Sequence, residues 1–219
     1  MLKNCLFKDR FEAGKKLAEK LIKYKNNKEV IILAIPRGGL QIGAVLSKEL
    51  NIPLDIFVSK KITLPIDEEL AIGAVSQDGM VEIDFELASQ YGVSEIYLKK
   101  EVGILKKLVK ERYTLYTGRK KPDSFRGKIV ILCDDGIATG YTIAIAANAI
   151  KKQKPKKLII AVPVSSKDGL DLVKDFADEV IVLDAPEPFY AIGEFYEKFV
   201  QVEDEEAIGL LKNQKKVKK

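Results

Sequence analysis

The sequence predicts an α/β fold, a mostly parallel twisted sheet flanked by helices. Near-continuous apolar runs recur along the chain, as in strands buried on both faces, and amphipathic stretches with helical spacing separate them. Composition agrees: 47% hydrophobic and 32% charged residues over 219 positions is a globular balance, enough for one large domain with a small attachment. The expected organisation is a single domain over residues 1–219, with an N-terminal helical segment at 1–27, a small hood-like segment at 184–205 and a basic tail at 212–219.

Each element has its own signal. Residues 9–24 place Phe11, Leu17, Leu21 and Ile22 at helical intervals among Lys and Glu. Val30–Ile35 is an apolar strand that stops at Pro36-Arg37-Gly38-Gly39, and Gly39–Leu50 reads as a helix. Leu54–Val58 is a second strand, and Ser59–Pro65 leaves it as a loop carrying Lys60 and Lys61. Leu70–Ile83 alternates around Asp78-Gly79, a hairpin pattern. Residues 94–116 form the longest amphipathic helix, capped by Ser94. Beyond the break at Pro122–Gly127 come the strand Lys128–Cys133, the helix Thr139–Lys152 and the strand Leu158–Val164. The helix Lys167–Phe176 and the strand Val180–Leu183 complete the series. After Asp184 the texture changes to Pro186, Pro188 and the aromatics Phe189, Tyr190, Phe195, Tyr196 and Phe199. This stretch is expected to pack on the ligand edge of the sheet.

Composition also excludes chemistry. Without histidine the chain has no Ser-His-Asp triad, His-Cys dyad or His-based zinc site. Cys5 and Cys133 lie far apart, and neither belongs to a pair with metal-ligand spacing. No uncharged apolar run reaches the length of a membrane helix, and Lys3, Lys8, Asp9 and Arg10 do not suit a secretory signal, so a reducing cytoplasm is expected. Much of the net charge of +5 sits at Lys215, Lys216, Lys218 and Lys219, read as a solvated end rather than a nucleic-acid arm. No P-loop motif occurs, and the spacing of a dinucleotide loop is missing around Gly38-Gly39.

In open parallel sheets, ligands bind beyond the carboxyl ends of the strands. The strongest such position is Ile129–Cys133 followed by Asp134-Asp135-Gly136-Ile137-Ala138-Thr139-Gly140-Tyr141-Thr142. Main-chain N–H groups at the helix start suit a phosphate, and Thr hydroxyls add donors. The two carboxylates repel a phosphate and suit sugar hydroxyls instead. A ligand bearing both groups meets both demands; a plain strand–turn–helix junction with Thr139 as the cap is the alternative. At Arg37-Gly38-Gly39, paired glycines permit close approach of an anion beside a forked cationic donor; a plain turn is the alternative. Lys60 and Lys61 add positive potential or belong to a solvated loop. The aromatics near Phe189 suit either core or a flat ring.

The Asp134–Thr142 stretch closely resembles the phosphoribosyl-diphosphate (PRPP) signature of the type I phosphoribosyltransferases, and the likeness extends over residues 28–200. It implies that Asp134 and Asp135 bind the ribose hydroxyls while Gly136, Ile137, Ala138, Thr139, Gly140, Tyr141 and Thr142 wrap the 5-phosphate. By the same resemblance, Arg37, Gly38 and Gly39 form the pyrophosphate loop, Lys60 and Lys61 precede a lid, and Phe189 stacks on the base. Arg37, Lys60, Lys61, Asp134 and Asp135 are then the catalytic set. Tyr141 replaces the commoner Gly, and Ala138 stands where 6-oxopurine enzymes carry an Asp. The resemblance implies PRPP and a nucleobase-like acceptor as substrates, Mg²⁺ as cofactor and a homodimer. A non-catalytic PRPP- or nucleotide-sensing regulator on the same fold is the alternative.

Overall fold

The computed structural model describes residues 5–216, which form two compact units. The first comprises the chain up to Ile56 together with the chain from Ser124 onward; the second is Phe57–Asp123.

The first unit opens with helix α1 (Arg10–Lys20), whose cap Asp9 accepts a hydrogen bond from the Glu12 N–H at 2.9 Å. Ala13, Gly14, Leu17 and Ala18 are buried, whereas Phe11 and Ile22 face solvent although they share the helical rhythm. Strands β1 (Val30–Ala34) and β2 (Leu54–Ile56) flank helix α2 (Gly39–Leu50), the span expected from the sequence. After the second unit the chain returns as β6 (Ile129–Cys133), α5 (Tyr141–Lys152), β7 (Lys157–Val164), α6 (Lys167–Lys174) and β8 (Glu179–Asp184). All five strands pair in parallel, in the order β2-β1-β6-β7-β8.

That order decides where a ligand fits. From β1 the chain moves outward through α2 to β2; from β6 it moves the opposite way through α5 to β7. Right-handed crossovers then send α2 and α5 to opposite faces. The loops after β1 and β6 diverge, opening a crevice beyond their carboxyl ends at the switch point. Ala34 pairs with Cys133 in register, so Pro36–Gly39 and Asp134–Gly140 leave the sheet side by side.

Beyond β8 a short helical turn at Ile192–Phe195 is tied to the N-terminal segment by Leu6 and Phe7 N–H bonds to the Phe195 carbonyl, 3.0 Å each. It then leads into helix α7 (Asp204–Lys216), which the sequence pattern does not foreshadow. The stretch expected as a basic tail is therefore helical through Lys216; Lys218 and Lys219 lie outside the described residues.

The second unit is an antiparallel sheet, β3 (Ser59–Leu64), β4 (Asp67–Ser76) and β5 (Val81–Ile83), followed by α3 (Phe85–Gln90) and α4 (Glu95–Thr117). Its core joins Ile62, Leu64, Ile72, Val75, Ala88, Leu98 and Leu105. The expected hairpin and the Ser94 cap are present. The loop at Ser59–Pro65 is a correction: this stretch is strand β3, because alternate residues Ile62 and Leu64 are buried while Lys60 and Lys61 are exposed.

Candidate active site

Two loops meet at the switch point. Asp134 follows β6 directly, and its Oδ1 accepts the Asp135 N–H at 2.9 Å. The pyrophosphate-loop candidates lie against this pair. A Cβ on Gly38 would overlap the Asp135 carboxylate, 2.7 Å from its Cγ; one on Gly39 would stand 2.9 Å from Asp134 Oδ1 and from the Cys133 carbonyl. Only glycine permits so close an approach of the two loops. The Pro36–Arg37 peptide bond is cis.

The loop from Gly136 is pinned to the end of β7. Ile137 donates to the Val164 carbonyl at 2.9 Å, Ser166 N–H returns a bond to the Ile137 carbonyl at 2.9 Å, and the Ser166 hydroxyl bonds the Ala138 carbonyl. Ile137 is buried, while Ala138, Thr139, Tyr141 and Thr142 are exposed. The loop turns into α5 at Gly140, whose φ of +84° lies in the left-handed region. Thr139 is not the cap: Gly140 occupies that position, and no side chain caps α5. Helix α2 likewise starts at Gly38 with no side-chain cap. Two helix N-termini thus present main-chain N–H groups near one acid pair, and their dipoles favour an anion at each.

Burial pushes the Asp134 carboxyl well above its ordinary range, and the charge of Asp135 pushes it further. Burial also raises Asp135, against the opposing pull of Arg10. Arg10 was not singled out from the sequence. Its Nε lies 2.7 Å from Asp135 Oδ2, its Nη1 donates to the Val200 carbonyl at 2.8 Å, and its guanidinium sits 3.8 Å over the Phe199 ring. The Tyr196 hydroxyl donates to the Asp135 carbonyl at 2.6 Å, and burial raises its pKa far enough to keep it protonated. One signal for Arg10 existed: a cation at the first position of a helix opposes the dipole, so that choice needs a reason outside the helix.

The structure brings Asp134, Asp135, Gly38, Gly39 and the Gly136–Thr142 loop together. Arg37 stands at the same loop, 3.4 Å from Glu203 and 3.6 Å from Asp204 at the start of α7. Phe189 packs on Phe195, ring centroids 4.9 Å apart, and stays half-buried. Lys60 and Lys61 lie on β3 of the second unit, so their assignment to the diphosphate rests on the sequence pattern alone. Cys133, buried and with its pKa raised by burial and by Asp134, is held as a neutral thiol and makes no nucleophile.

Comparison with known proteins decides the family. The family model for the phosphoribosyl transferase domain matches residues 7–190. The chain belongs to this family. A phosphoribosyl transferase of Mycobacterium tuberculosis, provisionally so named in two strains, is 31% identical over 215 residues covering 94% of this chain. The present chain spans 46% of that relative's length. Among solved structures, the protein TT1426 from Thermus thermophilus is 31% identical with a TM-score of 0.83, covering 95% of this chain and 98% of its own. The protein AQ2163 from Aquifex aeolicus shares the fold at 16% identity and a TM-score of 0.51, covering 86% and 84% of the two chains. Within the phosphoribosyl transferase match fall both glycine loops, the acid pair and Arg10, while Tyr196, Phe199, Glu203 and Asp204 lie beyond it.

Proposed function

We propose that the chain transfers ribose 5-phosphate from PRPP to a ring nitrogen of a nucleobase-like acceptor and releases pyrophosphate. One observation carries the reading: an acid pair at the switch point lies against a glycine loop on one side and leads into an uncapped helix N-terminus on the other. A sugar diol, a diphosphate and a 5-phosphate are the three groups this arrangement accommodates.

In this reading Asp134 and Asp135 accept hydrogen bonds from the ribose hydroxyls. The 5-phosphate meets the N–H groups at the start of α5 and the hydroxyls of Thr139 and Thr142. The diphosphate meets the N-terminus of α2 at Gly38-Gly39, with Arg37 leaving Glu203 and Asp204 to join it. The acceptor nitrogen forms a bond to C1 as the bond from C1 to the diphosphate oxygen breaks. The electron pair departs on pyrophosphate and the acceptor's proton passes to solvent. Holding the ligand and stabilising the separating charges are the protein's contributions.

No cluster of three or more Cys, Asp or Glu that could hold a metal exists among the described residues. Two carboxylates fit Mg²⁺ that keeps most of its ligands as water and phosphate oxygens. Asp134 and Asp135 would be the residues to hold such an ion, which would supply neutralisation of charge on the diphosphate. Among the described residues, no helix is long and apolar enough to cross a membrane.

The experiment is pyrophosphate release from PRPP and Mg²⁺ with a panel of nucleobases. Formation of a nucleotide with at least one base is expected. Binding of PRPP without turnover on any base assigns the chain to sensing; no binding overturns the reading.

A further inference from the structure

We propose that Arg10 is a positioning residue of the sugar site, holding Asp135 in the orientation that receives a ribose hydroxyl. The inference rests on the functional reading above and adds a residue from outside the recognised loops. It also separates the roles of the two acids.

The geometry over-determines the guanidinium. Its edge meets Asp135 Oδ2 at 2.7 Å, a second nitrogen meets the Val200 carbonyl at 2.8 Å, and its face covers Phe199 at 3.8 Å. Arg10 is only 6% exposed. A surface ion pair would gain little from such restraint, and α1 gains nothing from a cation at its first position. The restraint makes sense at the far end of the contact. Asp135 is buried beside a second carboxylate, and two like charges in contact keep a fixed geometry only with a counter-charge. Arg10 supplies it.

Asp135 is thereby fixed at both ends, its carbonyl by the Tyr196 hydroxyl at 2.6 Å and its Oδ2 by Arg10. Asp134 spends Oδ1 on the Asp135 N–H. Asp134 also accepts the Gly39 N–H and Asp135 its own N–H, so main-chain donors help hold both carboxylates. A carboxylate has about four acceptor sites, which leaves each acid able to accept one hydroxyl of a vicinal diol. Arg10 acts on Asp134 only through its charge, whereas it bonds Asp135 directly and sets that acid in advance through α1 and the 196–200 segment. Lysine could not replace Arg10, because a single ammonium cannot reach both oxygen partners while lying flat on a ring.

The test measures the dissociation constant of PRPP with Mg²⁺ by calorimetry, well below each variant's unfolding temperature. Wild type, Arg10→Gln, Arg10→Lys, Asp135→Asn and the double variant Arg10→Gln/Asp135→Asn are compared. Arg10→Gln is expected to weaken binding about 10- to 100-fold, the loss typical of a hydrogen bond to a charged group, and Arg10→Lys to recover part of it. The double variant should bind no more weakly than Asp135→Asn alone and unfold at a higher temperature than Arg10→Gln, because position 135 no longer carries an unpaired charge. A merely structural Arg10 would lower the unfolding temperature and leave the dissociation constant within twofold of wild type, which overturns the inference. If Arg10→Gln does not fold, Arg10→Lys decides alone, and wild-type affinity there overturns it. Absence of binding by the wild type overturns the functional reading and this inference with it.

Discussion

Gly38→Ala perturbs the contact between the two loops with a single carbon. The new Cβ would overlap the Asp135 carboxylate oxygen and stand 2.7 Å from Cγ, where ordinary contact begins at 3.4 Å. Its nearer oxygen sets the larger demand, so the carboxylate must recede by more than about 1 Å, and Arg10 Nε, 3.3 Å from the same point, is crowded as well. Neither can move freely, since Arg10 is held by Val200 and Phe199 and Asp135 by Tyr196. Overpacking of this kind costs about 2 kcal/mol, or roughly 4–8 °C of unfolding temperature for a chain of this size. A displacement of that size should weaken PRPP binding about tenfold or more. Calorimetric titration with PRPP and Mg²⁺ reads the affinity, and thermal unfolding without ligand reads the stability. Gly103→Ala is the control: a Cβ at this exposed position of α4 meets nothing, and about 0.5–1 kcal/mol of stabilisation is expected. Wild-type affinity in Gly38→Ala would refute the reasoning, because the two loops would then not share one ligand.

Other perturbations follow from the same structure. Asp134→Asn should abolish PRPP binding yet raise the unfolding temperature at pH 7. Its folded pKa is raised by burial and by Asp135, so the ionised form is disfavoured in the folded chain. Removing that charge should gain about 1 kcal/mol, a gain that shrinks as pH falls toward the unfolded carboxyl value; lower stability of the variant at pH 7 would contradict this. Glu179, bonded to Lys157 at 2.6 Å, Lys23 at 2.8 Å and Tyr24 at 3.0 Å, has its pKa brought down to about 2, chiefly by the Lys157 bond and then by Lys23. A lowered carboxyl pKa stabilises the fold above the unfolded value of 4.5 and loses that stabilisation as pH falls through about 2. Glu179→Gln should therefore cost about 1 kcal/mol at pH 7, since the group is partly exposed and screened. In thermal or denaturant unfolding, a difference that did not shrink between pH 5 and pH 2 would contradict the assignment. Gly140→Ala combines a positive φ with a Cβ 2.8 Å from the Gly169 carbonyl. It should lose about 1–3 kcal/mol in chemical denaturation and weaken ribose 5-phosphate binding.

The parallel sheet was legible because strands buried on both faces leave continuous apolar runs. Val30–Ala34 and Ile129–Cys133 stand out for that reason, and Gly39–Leu50 ends at the residues its pattern indicated. The acid pair and both glycine loops were legible because their chemistry is local in sequence. Strand β3 was not, since Lys60-Lys61 suggested solvent, and Ile62 and Leu64 are buried by residues of β4, α3 and α4 that are distant in sequence. Helix α7 was hidden by the aromatics before it, although Asp204, Glu205 and Glu206 in its first turn form a dipole-matched start. Arg10 and Tyr196 escaped because each reaches Asp135 from more than 60 residues away, a contact that exists only once the sheet and hood have formed.

A crystal of this protein soaked with PRPP and Mg²⁺ tests the central claim most directly. The account predicts the ribose hydroxyls within hydrogen-bond distance of Asp134 and Asp135, with the 5-phosphate on the N–H groups between Thr139 and Thr142. A ligand bound elsewhere, or an acid pair untouched by the sugar, would contradict it.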